Sequence, residues 1–188
     1  MHNAGHRRLE VVVNGMPPAP ALPDQAALCV AVASALQAKG WMMATAESCT
    51  GGMIAAACTD LSGSSNWFER GFVTYSNQAK CQMLGVDGGL IDRDGAVSEA
   101  VAHAMVLGAL RHAPVQAAVA VTGVAGPTGG SAAKPVGTVW FGWNVDGVIH
   151  TEMRRFDGDR TAVRYATVTH ALARLLDMLQ AHGDPATP

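Results

Sequence analysis

The chain has 188 residues, of which 49% are hydrophobic and 15% are charged, and its formal net charge is −2. This composition is that of a folded globular protein of about one domain, and it excludes a disordered chain. The near-neutral charge offers no basic stripe to a nucleic acid, and no apolar run approaches the roughly 20 residues of a membrane-spanning helix. We therefore expect neither a nucleic acid nor a membrane as a partner.

Cysteine and histidine spacing indicates a reduced, metal-free protein. The chain has four cysteines and no CxxC pair, and its basic first residues are not followed by the apolar core of a secretory leader. There is no HExxH motif, and the one HxxxH pair, His2 and His6, lies in the N-terminal segment. We expect a cytoplasmic protein that needs no metal and no cofactor.

Prolines separate the N-terminal segment from the rest of the chain. The run from Met16 to Pro23 cannot continue a helix or a central strand. We interpret residues 1–23 as a tail or arm, with a short strand over Leu9–Val13. Residues 24–182 are predicted to form a single domain, and residues 183–188 a C-terminal tail.

Helical and strand patterns alternate along the first half of this domain. The first helix is predicted to end before Gly40, and the turn over residues 47–52 separates a short apolar strand from an alanine-rich helix. The predicted order is helix Asp24–Lys39, strand Trp41–Ala46, helix Met53–Thr59, strand Gly71–Tyr75 and helix Gln78–Leu84.

The second half continues the alternation but ends differently. A helix over Ser98–His112, capped by Ser98, precedes a buried strand over Gln116–Val121. Asp146-Gly147 then predicts a hairpin between strands Gly137–Val145 and Val148–Phe156. A final helix is predicted over Arg160–Gln180. Together these elements predict a three-layer α/β/α fold with a mixed, mostly parallel sheet and a late antiparallel hairpin.

The 47–52 turn, Glu47-Ser48-Cys49-Thr50-Gly51-Gly52, is the first segment that could carry chemistry. A serine between a strand and a helix lies near unpaired backbone N–H groups, which could stabilise an oxyanion formed when Ser48 attacks a carbonyl. The two glycines would allow a ligand to approach the backbone. Alternatively, Ser48 or Thr50 only caps the helix, and Cys49 could be the nucleophile, although no histidine adjoins it.

The second segment is Tyr75-Ser76-Asn77-Gln78-Ala79-Lys80. Lys80 is a solvated surface charge in the ordinary case. It attracts attention because no histidine lies in the glycine-rich segments, so Ser48 has no evident imidazole base. A lysine can act as a base where burial lowers its pKa.

A glycine-rich loop, residues 122–131, directly follows a buried strand. Its glycines and hydroxyls suit an anion-binding loop built from backbone N–H groups, although a plain flexible loop explains them as well. Lys134 and Arg160 could add positive charge for a phosphate. Alternatively, Arg160 pairs with Asp157 or Asp159.

These segments, in this order, resemble the C-terminal domain of the competence/damage-inducible protein CinA, whose stand-alone versions are nicotinamide-nucleotide amidohydrolases. The resemblance runs from about Asp24 to Leu179. The matching segments are Ala46–Gly52, Gly71–Lys80, Leu84–Val86, Gly95–Ser98, Thr122–Gly130, Lys134–Thr138 and Gly158–Arg160.

The resemblance implies hydrolysis of nicotinamide mononucleotide to nicotinic acid mononucleotide and ammonia, without a metal. It implies that Ser48 is the nucleophile, that Lys80 is its base and that Tyr75 positions or relays the proton. The residues expected to contact the substrate are Glu47, Cys49, Thr50, Gly51, Gly52, Thr122, Gly123, Gly126, Gly129, Gly130 and Arg160.

Two other functions are compatible with the same residues. One is an amidase acting on another small amide, and the other is a non-catalytic nucleotide-binding module, which would leave Ser48, Tyr75 and Lys80 unexplained. The expected partner is a small-molecule substrate. A homo-oligomer is a further expectation, because Trp140, Phe141 and Trp143 on one strand favour either self-association or a core position.

Overall fold

The computed structural model describes residues 23–182. Six helices, one short 3-10 turn over Ser64–Asn66 and five strands follow one another in this range. In chain order they are α1 (Pro23–Lys39), β1 (Met43–Glu47), α2 (Met53–Thr59), β2 (Phe68–Val73), α3 (Asn77–Leu84), α4 (Gly88–Asp94), α5 (Glu99–His112), β3 (Ala117–Gly123), β4 (Thr138–Val145), β5 (Val148–Arg155) and α6 (Arg160–Ala181).

The five strands form one mixed sheet in the order β2-β1-β3-β4-β5. β1 pairs in parallel with β2 and with β3, whereas β4 is antiparallel to both of its neighbours. Only β4 therefore runs against the common direction of the other strands. The predicted mixed α/β fold with a late hairpin is confirmed.

Helices cover both faces of the sheet because its central strands are apolar on both sides. Val119 and Val121 of β3 pack with α1 and α6 in one core, and Ala118 and Ala120 of the same strand pack with α5 in the other. The small side chains on the α5 side, together with Gly142, allow this helix to lie close to the sheet: a Cβ on Gly142 would be 2.6 Å from Val106 Cγ2.

Several local predictions are confirmed. Ser98 caps α5 by accepting a hydrogen bond from the Val101 amide at 3.3 Å. Asp146 and Gly147 join β4 to β5 with φ angles of 49° and 86°, which is the left-handed backbone that a tight hairpin turn requires. α1 ends at Lys39, before Gly40.

Other details of the prediction were wrong or fall outside the described residues. β2 covers Phe68–Val73 rather than Gly71–Tyr75, because this edge strand is partly exposed and carries charged residues at its start. The helix α4 was not predicted, since its Gly88-Gly89 start resembles a loop; Asp87 caps it. The strand proposed over Leu9–Val13 lies outside the described residues.

The common strand direction places the segments of interest at one edge. The carboxyl ends of β1, β2 and β3 adjoin there, with Glu47 beside both Val73 and Val121. β5 points the same way, so the chain reaches Arg160 at this edge as well. Within residues 23–182, no helix combines the length and the apolar character that crossing a membrane requires.

Candidate active site

The 47–52 turn follows β1 and leaves the sheet between β2 and β3, the two strands that are parallel to β1. The Ser48 amide donates to the Val121 carbonyl at 3.0 Å, and the Thr74 amide donates to the Glu47 carbonyl at 2.7 Å. These bonds extend both parallel ladders by one step. Ser48 is thereby held at the sheet edge, between the end of β2 and the end of β3.

The Glu47 carboxylate holds the turn in place through hydrogen bonds. It is fully buried and accepts hydrogen bonds from the hydroxyls of Thr45 and Thr50 and from the amides of Gly52, Ile54 and Ala55. It therefore caps α2 from several residues upstream, and it neutralises the positive end of that helix. The alternative in which Ser48 or Thr50 caps the helix is wrong: the residue at the cap is Gly52, with φ 97° and no side-chain cap bond.

Ser48 and Lys80 meet directly. Lys80 Nζ lies 2.9 Å from Ser48 Oγ and donates to the Thr74 carbonyl, also at 2.9 Å. The Lys80 side chain is 2% exposed and that of Ser48 8% exposed. Burial lowers the pKa of Lys80, and this outweighs the opposite influence of the nearby Cys49 and Cys81 thiols. Lys80 is therefore not the solvated surface charge of the ordinary case.

Cys49 has the surroundings of an inert thiol. Its side chain is buried, and burial raises its pKa to about 12. A thiol with this pKa carries almost no thiolate at neutral pH, so it is a poor nucleophile.

Two amides of the turn have no hydrogen-bond partner among residues 23–182. The amides of Gly52, Ile54 and Ala55 are occupied by Glu47, and that of Gly51 donates to the Ser48 carbonyl at 3.0 Å. Within the part of the chain that the structure describes, the amides of Cys49 and Thr50 have no acceptor. The donors available for an oxyanion thus come from the turn itself rather than from the end of α2.

Tyr75 and Arg160 form a second unit at the same edge. Arg160 Nη2 donates to the Tyr75 hydroxyl at 2.6 Å, and its Nη1 donates to the Gly126 carbonyl at 3.1 Å. The Tyr75 ring reaches back to the turn, because a Cβ on Gly51 would be 3.8 Å from Tyr75 Cε2. The Tyr75 hydroxyl is engaged by Arg160, whereas Lys80 reaches Ser48 without an intermediary.

Arg160 has no carboxylate at salt-bridge distance among residues 23–182. The alternative in which it pairs with Asp157 or Asp159 is therefore wrong. Asp159 instead caps α6 by accepting from the Ala162 amide at 2.8 Å. A cation that has only neutral acceptors remains available to an anionic ligand.

A cavity of about 460 Å³ lies where the glycine-rich loop meets the start of α6. Its lining residues are Pro127, Val136 and residues 158–161, and they do not include Ser48 or Lys80. Gly126 has φ 79°, and a Cβ there would be 2.5 Å from Val136 Cγ1, so only glycine fits. Gly129 and Gly130 are exposed at the loop tip.

Thr122 and Lys134 make hydrogen bonds that hold this region together. The Thr122 side chain is 1% exposed, and its hydroxyl donates to the Ala96 carbonyl at 2.8 Å. Lys134 Nζ donates to the Asp94 carbonyl at 2.7 Å. These bonds connect the two ends of the loop region to the end of α4 and the residues that follow it.

The model of the CinA C-terminal domain family matches residues 25–179 of the sequence. The chain belongs to this family. The matched range agrees with the extent of the resemblance inferred from the motifs.

Several relatives of this CinA-family chain carry a functional name. It is 55% identical over 150 residues to the nicotinamide-nucleotide amidohydrolase PncC of Enterobacter agglomerans, covering 79% of this chain and 92% of that protein. It is 52% identical over 147 residues to the protein of the same name from Escherichia coli (strain K12), covering 77% and 88%.

Solved structures confirm the fold of this CinA-family domain. Competence damage-inducible protein A from Klebsiella pneumoniae matches it with a TM-score of 0.82 and 42% identity, over 85% of this chain and 99% of that one. The competence/damage inducible protein of Agrobacterium tumefaciens matches with a TM-score of 0.79 and 44% identity, over 88% and 99%.

Arg164 is the residue of this CinA-family site that sequence reasoning missed. It reaches from α6 to the carbonyls of Cys49 and Thr50. It stands in a plain helical stretch, so no glycine or polar cluster marks it. The available signal was its spacing of four from Arg160, which places both guanidinium groups on one face of α6.

Two further features lie elsewhere. A cavity of about 650 Å³ between α4, α5 and β5 contains neither Ser48 nor Lys80. Phe141 and Trp143 are fully buried in the core beneath α6, so the core alternative accounts for these two residues. Trp140 is only partly buried, and self-association stays a prediction.

Proposed function

We propose that this protein is a nicotinamide-nucleotide amidohydrolase that uses Ser48 as nucleophile and Lys80 as base. The observation that carries the proposal is the 2.9 Å contact between Ser48 Oγ and a buried lysine amine whose pKa is lowered. The names of the similar proteins supply the substrate class.

Acylation begins when the neutral Lys80 amine accepts the proton of the Ser48 hydroxyl. Ser48 Oγ forms a bond to the carboxamide carbon, and the carbonyl oxygen becomes an oxyanion. The Thr74 carbonyl, at 2.9 Å, accepts from one N–H of Lys80 and so orients the amine toward Ser48. When the intermediate collapses, the C–N bond breaks, and the Lys80 ammonium protonates the departing nitrogen, which leaves as ammonia.

Deacylation repeats the sequence with water. Lys80 accepts a proton from the water that attacks the ester carbon, a second oxyanion forms, and the bond to Ser48 Oγ breaks with return of the proton to that oxygen. The product is the carboxylic acid. We assign oxyanion binding in both steps to the free amides of Cys49 and Thr50.

The substrate-contacting residues divide into two groups by exposure. Arg160 borders open space, and the loop glycines Gly129 and Gly130 are exposed; all three are assigned to the phosphate and ribose of the nucleotide. Gly126 is buried, and it is assigned to the same part of the site through its carbonyl, which holds Arg160. Gly51 is exposed and Gly52 partly exposed, and both are assigned to close approach of the substrate to the backbone next to Ser48. The buried side chains are assigned to shaping the site without contact through their own polar atoms; they are Glu47, Cys49, Thr50 and Thr122, while Gly123 continues β3 into the loop.

Tyr75 is assigned to positioning rather than to proton relay. Its hydroxyl is engaged by Arg160, the residue is 59% exposed, and its ring lies near Gly51. In this arrangement Tyr75 aims the Arg160 guanidinium at the cavity and offers an aromatic face to a flat substrate ring.

We expect hydrolysis of nicotinamide mononucleotide with little activity on free nicotinamide, because phosphate contacts supply binding energy that positions the amide. Ammonia release should be measured for the mononucleotide, other pyridine nucleotides, free nicotinamide and an unrelated small amide. Comparable kcat/KM values for the mononucleotide and free nicotinamide would contradict the phosphate role. A nucleotide that binds without ammonia release would support the binding-module alternative.

We also expect full activity after exhaustive chelation, since the proposed chemistry needs only Ser48, Lys80 and backbone donors. The enzyme should be treated with EDTA, passed through a desalting column and assayed with and without added divalent metals. Loss of activity that one metal restores would show that the metal-free mechanism is wrong. Cytoplasmic location and a homo-oligomeric state stay predictions of the sequence.

A further inference from the structure

Arg164 makes contacts that the chemistry above does not use. Its Nε donates to the Cys49 carbonyl at 3.1 Å, and its Nη2 donates to the Thr50 carbonyl at 2.9 Å. The side chain is half-buried, and among residues 23–182 it has no carboxylate at salt-bridge distance. Two of its five N–H donors are therefore committed to consecutive carbonyls beside Ser48.

Because a trans peptide is planar, the direction of a carbonyl fixes the direction of the N–H group in the same peptide unit. In a trans peptide the C=O and the N–H of the same unit point in opposite directions. Because the Cys49 carbonyl faces Arg164, the amide of Thr50 faces away from it. This amide is one of the two free donors of the turn.

The contact between Arg164 and the Thr50 carbonyl affects the Cys49 amide indirectly, through the hydrogen bond between the Gly51 amide and the Ser48 carbonyl. With the Thr50 carbonyl on Arg164, the Gly51 amide points the opposite way and donates to the Ser48 carbonyl at 3.0 Å. An engaged Ser48 carbonyl in turn fixes the direction of the Cys49 amide, which belongs to the same peptide unit. Each hydrogen bond in such a chain also polarises the next.

We propose that Arg164 is a positioning residue that fixes and polarises the amides of Cys49 and Thr50 as the oxyanion-binding pair. This inference rests on the proposed function, because it assumes that Ser48 attacks an acyl-type centre. The planar fork of arginine matters here, since one guanidinium holds two carbonyls in a fixed relation and an ammonium group does not.

A purely structural tie between α6 and the turn is the competing explanation. It predicts lower thermal stability without a specific loss in the chemical step. Positioning predicts a fall in kcat with little change in KM, because the oxyanion exists only during the reaction.

The test compares Arg164→Met and Arg164→Lys with Arg174→Met. Arg174 lies on the same helix and pairs with Glu152 and Asp177 at the surface, so it controls for loss of one α6 arginine. Each variant is measured for its melting temperature, for kcat and KM with nicotinamide mononucleotide, and for the rate at which a small alkyl fluorophosphonate labels Ser48. In that labelling Ser48 Oγ bonds to phosphorus, fluoride leaves, and the serine proton passes to Lys80.

We expect Arg164→Met to lower kcat and the labelling rate by on the order of 100-fold, because a misplacement of about 1 Å can cost that much. Arg164→Lys should recover only part of this loss, and Arg174→Met should match the wild type in both rates. If Arg164→Lys has the wild-type kcat, or if the Arg164 variants change only the melting temperature, the inference is overturned.

The labelling arm separates this inference from the proposed function. Wild-type protein that is labelled but does not release ammonia would contradict the proposed substrate, while the Arg164 comparison still decides the positioning role. Wild-type protein that is neither labelled nor active would overturn both.

Discussion

Ser48→Ala should lower kcat for ammonia release by at least about three orders of magnitude, with the fold retained. The hydroxyl at 2.9 Å from Lys80 Nζ is the atom that would form the bond to the carboxamide carbon. Alanine leaves no substitute nucleophile in that position. The fold should persist because Glu47, rather than Ser48, supplies the hydrogen bonds that cap α2.

Cys49→Ala is the matched control for this substitution. It changes the adjacent residue by a similar volume, and we expect it to stay within about tenfold of wild-type turnover because its protonated thiol has no chemical role. Burial, which raises the pKa of Cys49 to about 12, is the physical reason. The opposite pattern, with Ser48→Ala active and Cys49→Ala inactive in folded protein, would identify the thiol as the nucleophile.

Most of the fold follows from local patterns that the sequence displays. The first five residues of β3, Ala117–Val121, are an unbroken apolar run because the strand is covered on both faces. The β4–β5 hairpin is indicated by Asp146-Gly147. The failures are the edge strand β2 and the short helix α4. An edge strand has one unpaired side and a weaker burial pattern, and a helix that begins with two glycines is stabilised by Asp87 and tertiary packing rather than by propensity.

The sequence predicted the parts of the site that lie in segments of unusual composition. It did not predict the parts that depend on contacts between residues far apart in the chain. The segments that contain Ser48 and Lys80 stand out, but the burial of Lys80 and its contact with Ser48 depend on how α3 packs against α5 and β2. The sequence also does not predict that the Glu47 carboxylate accepts hydrogen bonds from backbone amides of α2. Arg164 shows the same limit, because its acceptors lie 114 and 115 residues away in the chain.

Removing the Lys80 amine should cost nearly as much turnover as removing the Ser48 hydroxyl. Lys80→Met keeps the apolar stem without the base, and Lys80→Arg keeps a charge that stays protonated at working pH. We expect both variants to be almost inactive, and the Ser48→Ala/Lys80→Met double variant to be little worse than either single one, because the two groups act as a unit. A fully active Lys80→Arg would show that Lys80 supplies only charge.

The pH dependence gives an independent test of the same assignment. Burial lowers the pKa of Lys80, so kcat/KM should rise with pH through a midpoint below the ordinary lysine value of about 10.4 and then level off. The free energy of unfolding should also depend on pH through the ionisation of Lys80. Between the lowered pKa of the folded state and the ordinary pKa of the unfolded state, the unfolded chain binds more protons, so the free energy of unfolding rises with pH across that window.

Lys80→Met should abolish that rise and should stabilise the protein at pH values below the window, where the wild type must bury a charged amine. Chemical denaturation of both proteins across neutral to alkaline pH measures the difference. An active wild type with no rising limb in kcat/KM, together with parallel stability curves for the two proteins, would show that the Lys80 amine is not the group whose deprotonation activates Ser48.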